Sequence, residues 1–319
     1  MSDGFAYRLT ADRVDKVEPY AALADPSDLV WIHLSPNDEG VDDFLRGPAG
    51  LTEAVVDALT AAETRPRCDQ FGDGALVNLR ARSSEPPTST GDALGSIRVW
   101  ATRGRVFSVT RRRMAALDEV KACVEAGRVR DPGDLIAELA SAITTDLDPH
   151  VAELGDRLDL CEESLGDAKI FELRRTVTQV RAAAIGYRRF LNPQRAALDK
   201  LAHLPGQWLA DDDRVHLAAA ADRAARMAEE LEAIRERAAL VSDALADMRA
   251  EQLDQRGLVL SVAALVFLPL TFITGLYGMN VEGLWFATKP WAFDAIVAFC
   301  TLVAVGVSGF FFVRKWTSR

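Results

Sequence analysis

The chain has 319 residues, 49% hydrophobic and 26% charged, with a formal net charge of −10. That acidic balance excludes the basic footprint of a nucleic-acid binder and suits a surface that gathers cations. The four cysteines, Cys68, Cys123, Cys161 and Cys300, form no Cys-x-x-Cys pair, which excludes a disulfide framework and a zinc knuckle.

The N-terminal MSDGFAYRLT lacks the basic and apolar regions of a signal peptide, so the N-terminal part is expected to stay inside the cell. Residues 1–130 read as a mixed α/β subdomain. Phe5 to Thr10, Leu29 to Leu34, Ala75 to Ala81, Ile97 to Thr102 and Val106 to Thr110 are short β-branched or aromatic runs, the last two joined by the hairpin signal Arg103-Gly104-Arg105. Leu51 to Ala62 and Met114 to Ala126 carry helical spacing. Ser83 to Gly95 predicts a flexible surface loop.

From Asp131 strand signals stop, and residues 131–256 read as a helical subdomain and stalk. Asp131-Pro132 opens a helix towards Leu165, Ile170 to about Leu204 gives another, and Asp211 begins the longest. Asp211-Asp212-Asp213 invites a metal-site reading, but acids at a helix start complement its dipole and capping is the better explanation. Unbroken from Asp213 to Leu276, this helix would be about 96 Å long at the usual rise of about 1.5 Å per residue. Along it, Glu229 and Glu236 predict a solvated face paired with Arg226, Arg235, Arg237 and Arg249.

Gly257 to Leu276 carries no charge and is long enough to cross a hydrocarbon core of about 30 Å. A second uncharged run, Ala295 to Val313, follows. Spans are set at 257–278 and 291–313, with a loop at 279–290 and a basic tail at 314–319. Arg249 and Arg256 before the first span, and Arg314, Lys315 and Arg319 after the second, predict both termini in the cytoplasm. Trp285, Trp291 and Trp316 are placed as interfacial anchors. Asp294 either snorkels, pairs with Lys289 or serves as a protonatable group.

One face of the first span is sparse and hydrophilic. Steps of three and four back from Gly278 meet Gly275, Thr271, Leu268, Ala264, Ser261, Gly257, Asp254, Ala250, Asp247 and Asp243. Such a stripe permits either tight helix packing or a wet path. The acids Asp243, Asp247 and Asp254 in register with it favour the path, and Leu268 and Leu260 would narrow it. Two spans cannot enclose water, so this reading requires a homo-oligomer with the first span innermost.

The run Phe267-Leu268-Pro269-Leu270-Thr271-Phe272-Ile273-Thr274-Gly275-Leu276-Tyr277-Gly278-Met279-Asn280 resembles the signature of the CorA superfamily of divalent-cation transporters, with Gly-Met-Asn at the outer end of the first of two C-terminal spans. Within it, Glu63-Thr64-Arg65-Pro66-Arg67, then Gly72 to Arg80, and the terminal Arg314-Lys315-Trp316 are most similar to the zinc-transporting ZntB branch. The resemblance implies a CorA-like α+β cytoplasmic domain: a small mixed sheet with helices, then long helices, joined by a stalk helix to two transmembrane helices. It further implies a pentamer in the inner membrane and a selectivity filter at Gly278, Met279 and Asn280, with the Asn280 amide holding a hydrated cation. Glu282 would add an acidic ring at the mouth. Gly-Met-Asn followed by Val281-Glu282 departs from the Gly-Val-Asn of that branch and looks more like magnesium-type CorA, so two readings stay open: Zn²⁺ uptake, for which resemblance to that branch raises proton coupling, and a Mg²⁺, Co²⁺ or Ni²⁺ channel gated by Mg²⁺ between cytoplasmic domains. A non-conducting sensor would instead require Leu and Ile at the seam. No nucleophile-base set or phosphate loop is present, so no enzyme and no cofactor beyond the transported cation are expected.

Overall fold

The computed structural model describes residues 4–24, 27–62, 65–85, 94–166, 170–279 and 289–317. It forms two compact units, Met1–Ser242 and Asp243–Arg319.

The first unit is built on a seven-stranded mixed sheet: β1 (Phe5–Thr10), β2 (Arg13–Val17), β3 (Leu29–Leu34), β4 (Arg67–Phe71), β5 (Gly74–Arg82), β6 (Leu94–Thr102) and β7 (Arg105–Thr110), in spatial order β2-β1-β3-β7-β6-β5-β4. β3 and β7 are parallel, with Val30 opposite Arg105, and the other neighbours are antiparallel. Gly104, at φ 75°, supplies the left-handed residue of the β6-β7 turn. β3 is buried along its whole length because helices cover both faces of the sheet.

On one face lie α1 (Pro19–Ala22), α2 (Val41–Arg46) and α3 (Glu53–Thr60), whose Val41, Phe44, Leu45, Val55, Val56 and Leu59 close over Ile32, Leu34, Trp100, Phe107 and Val109. Phe44 has no exposed surface, and full burial of such a side chain stabilises by roughly 1.5–3 kcal/mol. On the other face Trp31, Val99 and Val106 meet Val120 of α4 (Ala115–Glu125) and Leu135, Ile136 and Leu139 of α5 (Pro132–Glu163). Helix α6 (Ile170–Ala202) runs back along α5 and past β4 and β5, and α7 (Asp211–Tyr277) is continuous for 67 residues. A fixed indole holds the entry to α7: Trp208 Nε1 donates to Asp73 O at 2.9 Å, joining the segment before α7 to the β4-β5 turn.

Several expectations need correction. Ser83 to Gly95 is not a loop throughout: Ser83 bridges Met114, and Leu94 and Gly95 belong to β6, while 86–93 lie outside the described residues. β2, β4, α1 and α2 were not anticipated. The second apolar run belongs to α8 (Ala292–Thr317), whose helical backbone includes Arg314 and Lys315. Trp285 lies outside the described residues, and Asp294 makes no ion pair with Lys289.

Candidate functional site

In the second unit, two helices are long and apolar enough to cross a membrane: α7, through its C-terminal part, and α8. Uncharged sequence explains the persistence of α7 through Pro269, because in an apolar medium backbone groups can be satisfied only within the helix or by neighbours. Thr271 Oγ1 donates to Phe267 O at 2.7 Å and Thr274 Oγ1 to Leu270 O at 3.0 Å, so both hydroxyls are tied to their own helix with lone pairs remaining. The helix closes where Gly278 N–H reaches Thr274 O at 2.9 Å.

Burial divides this segment into two opposite faces. Val262, Ala263, Val266, Pro269, Leu270, Ile273 and Tyr277 are partly shielded, and Ile273 and Tyr277 share one apolar groove with Trp291, Ala292, Ala295, Ile296 and Phe299 at the start of α8. At about 100° per residue these seven lie within about 60° of one direction. Gly257, Leu260, Ser261, Ala264, Leu268, Thr271, Gly275 and Gly278 lie within about 60° of the opposite direction, and all are exposed. Leu260 and Leu268 are 71% and 73% exposed in the single chain. A Cβ added at Gly257 or Gly275 would meet nothing within 4 Å, although each glycine inside a helix costs about 1 kcal/mol relative to alanine. Nothing among the described residues explains that choice of residue.

Nearer the N-terminus of α7 several charges are tied up, although Glu229, expected in a paired face, makes no ion pair among the described residues. Glu232 accepts from Arg235 (2.6 Å) and Arg188 (3.1 Å), and Arg237 clasps Glu162 (2.7 Å) and Asp159. Arg237 thus reaches α5 rather than Glu236, which lies 3.9 Å from Arg235. Mutual hydrogen bonds with Glu162 and Asp159 push the Arg237 guanidinium further up. By contrast, Asp243, Asp247 and Asp254 are exposed and form no ion pair among the described residues. Of the expected filter, Gly278 and Met279 follow the helix end and are exposed; Asn280 and Glu282 lie outside the described residues.

Among the described residues, one group of three or more His, Cys, Asp or Glu side chains brings its ligand atoms within 4.8 Å of one another: Asp131, Asp134 and Asp213. Each is accounted for as a helix start. Asp131 Oδ1 accepts from Asp134 N–H at 2.9 Å, Asp134 Oδ2 from Arg130 N–H at 3.0 Å, and Asp213 Oδ2 from Ala210 N–H at 2.8 Å. Capping by Asp213 agrees with the sequence. Its meeting with Asp131 and Asp134 was not legible, since each start carried its own signal but nothing paired the two. Burial, with Asp131 and Asp134 adding repulsion, raises the Asp213 carboxyl to about 6.

The imidazoles have separate partners: His33 is buried between Ser108 Oγ (2.9 Å) and Thr110 Oγ1 (3.2 Å), His150 faces Glu153, His203 Asp199 O and His216 Asp212. Burial, reinforced by Lys121, lowers His33 to about 3. The four cysteines are free.

Residues 26–315 match the family model described as CorA-like Mg2+ transporter protein. The zinc transport protein ZntB of Klebsiella pneumoniae is 31% identical over 91% of this chain and 86% of its own, and that of Yersinia enterocolitica 28% over 92% and 90%. Among solved structures, the full-length CmaX protein has a TM-score of 0.77 at 28% identity, covering 98% of both chains. The CorA magnesium transporter of Methanocaldococcus jannaschii has a TM-score of 0.80 at 16% identity, covering 97% of this chain and 96% of its own, a likeness of fold. The chain therefore belongs to the CorA-like family of divalent metal-ion transporters.

Proposed function

We propose that this chain is one protomer of a homo-oligomer, a pentamer on family precedent, that carries Zn²⁺ and related divalent cations across the inner (plasma) membrane along a central path. The observation that carries this reading is the placement of α8 opposite the seam, which leaves Gly257, Leu260, Ser261, Ala264, Leu268, Thr271 and Gly275 free to face copies of themselves. Around a symmetry axis, Asp243, Asp247 and Asp254 become acidic rings that concentrate divalent cations at the inner mouth. Leu260 and Leu268 form apolar constrictions, and the Thr271 hydroxyl gives a polar rung between them and the outer end. Gly278, Met279 and Asn280 form the filter, where neutral amide oxygens engage a hydrated ion and avoid the large penalty of stripping its water. Glu282 enriches cations beside it. Residues 257–278 and 291–313 span the bilayer, 279–290 lie outside, and both termini, with the soluble subdomains 1–130 and 131–256 and the tail 314–319, lie in the cytoplasm. A divalent ion moving inward gains about 4.6 kcal/mol per 100 mV of membrane potential, twice the value per unit charge, so influx requires no bound nucleotide.

Zn²⁺ as cargo is supported by similarity to the ZntB proteins over most of the chain. The Mg²⁺ reading is favoured by one specific feature, Gly278-Met279-Asn280 followed by Val281-Glu282. Uptake by the purified protein in liposomes, with Zn²⁺, Mg²⁺, Co²⁺ and Ni²⁺ in competition, separates the two. Asn280→Ala should abolish selective uptake. Zinc flux unchanged when an imposed pH gradient is collapsed at constant voltage would remove proton coupling from the reading.

A further inference from the structure

Arg98, in the middle of β6, is 2% exposed. Its Nη2 donates to Ala62 O at 3.4 Å, while Nε and Nη1 are buried without a partner among the described residues. Sheet register puts further guanidiniums around it. Arg98 lies opposite Asn78 of β5, and Asn78 opposite Arg67 of β4. Because side chains alternate between faces, Arg80, two residues from Asn78, lies on the same side of the sheet, and Arg111, just past the end of β7, reaches the C-terminal end of α3 beside Arg98.

These neighbours use their own bonds to hold position. Arg67 pairs with Asp69 at 3.2 Å, Arg80 donates to Leu94 O at 3.2 Å and lies over the Phe190 ring at 4.4 Å, and Arg111 donates to Thr60 O at 2.8 Å and Asn37 Oδ1 at 3.3 Å. The Asn78 amide fixes the adjoining segment by donating to Arg65 O at 2.7 Å. Burial, with repulsion from Arg111, Arg80 and Arg67, pulls Arg98 down to about 10, which still leaves it charged at neutral pH. A buried cation with open donors and positive neighbours is strongly disfavoured unless an anion meets it.

We propose that Arg98, framed by Arg67, Arg80 and Arg111, is the receptor for one small inorganic anion, chloride or phosphate in chemistry, beneath the C-terminal end of α3. The near-complete burial of Arg98 limits the occupant to such a size. The site is separate from the cation path and does not depend on which metal is carried. It also gives a role to the Arg65-Pro66-Arg67 and Asn78-Leu79-Arg80 segments that the transport reading leaves unused.

The test uses the full-length protein in detergent at constant ionic strength, with sodium gluconate replaced stepwise by sodium chloride in one arm and sodium phosphate in the other. Thermal unfolding and titration calorimetry are read together. The expected result is a saturable rise of a few degrees in midpoint at about a hundredfold excess over the dissociation constant, with one anion bound per chain. Arg98→Met should lose the saturable response, and Arg112→Ala should keep it. Should Arg98→Met fail to fold, Arg98→Lys keeps a charge but removes Nε and Nη1, and binding should weaken at least about tenfold, the loss of about one charge-assisted hydrogen bond. No saturable response or binding heat for either anion in the wild type, indicating water as sole occupant, overturns the proposal. So does unchanged affinity in Arg98→Lys or a response that persists in Arg98→Met.

Discussion

Asp213 and Gly133 meet where the first turns of α7 and α5 touch: a methyl group on Gly133 would overlap the Asp213 carboxylate, 2.6 Å from its Cγ, and lie 3.1 Å from Trp208 O. Gly133→Ala should therefore act as overpacking, destabilising the protein by about 1–3 kcal/mol. Chemical denaturation followed by tryptophan fluorescence checks this, and the loss should shrink in the double variant with Asp213→Ala.

Asp213 also predicts a pH dependence. Its folded pKa of about 6 lies above its ordinary value of 3.8, so between these limits the native state keeps a proton that the unfolded chain releases. Its contribution is fully present below about pH 4 and lost as pH rises through about 6. Asp213→Asn should remove this component of the stability profile, up to about 3 kcal/mol, when melting is compared at pH 4, 5, 6 and 7.

His33 works in the opposite direction. With its folded pKa lowered to about 3, the stability it contributes is present above the ordinary value of about 6.5 and is lost as pH falls towards 3. Proton NMR should find the His33 ring neutral from pH 8 to 5.

The Arg237 clasp on Glu162 and Asp159 is largely exposed, with side chains 42%, 35% and 54% accessible. Arg237→Ala should cost at most about 1 kcal/mol, and raising salt should reduce the difference. Melting at low and high sodium chloride is sufficient to check it.

On the proposed seam, Gly275→Leu should abolish metal uptake in liposomes without reducing membrane insertion, because in the homo-oligomer we propose a large side chain repeated around the axis would close the path. Val266→Leu, on the face towards α8, should leave most flux intact. Equal loss in both variants would remove the distinction between the two faces.

Much of this architecture is legible in the sequence because its signals are long. The uncharged run from Gly257 and the small-residue stripe on it need only a period of 3.6 to be recognised. The strands β2 and β4 escape because they are the two outer strands of the sheet, and charged side chains such as Arg13, Asp15, Arg67 and Asp69 protect such edges while erasing the alternation that marks a strand. Arg98 escapes for the reverse reason: in Ser96-Ile97-Arg98-Val99-Trp100 it has the look of an outward-facing charge, and only the covering by α3 reveals that it is enclosed. The proposed filter role of Asn280 rests on resemblance alone, since its position lies outside the described residues.

The parallel pairing of β3 with β7 has a consequence for biosynthesis. One edge of β3 stays open until Arg105–Thr110 has emerged from the ribosome, so the central pair forms late among the strands. Every strand of the sheet, and the chain as far as Ser242, nevertheless precedes the first apolar span. The water-soluble unit can thus mature during translation, and in the homo-oligomer we propose the glycine and hydroxyl face of α7 would meet its counterparts only after each chain has entered the bilayer.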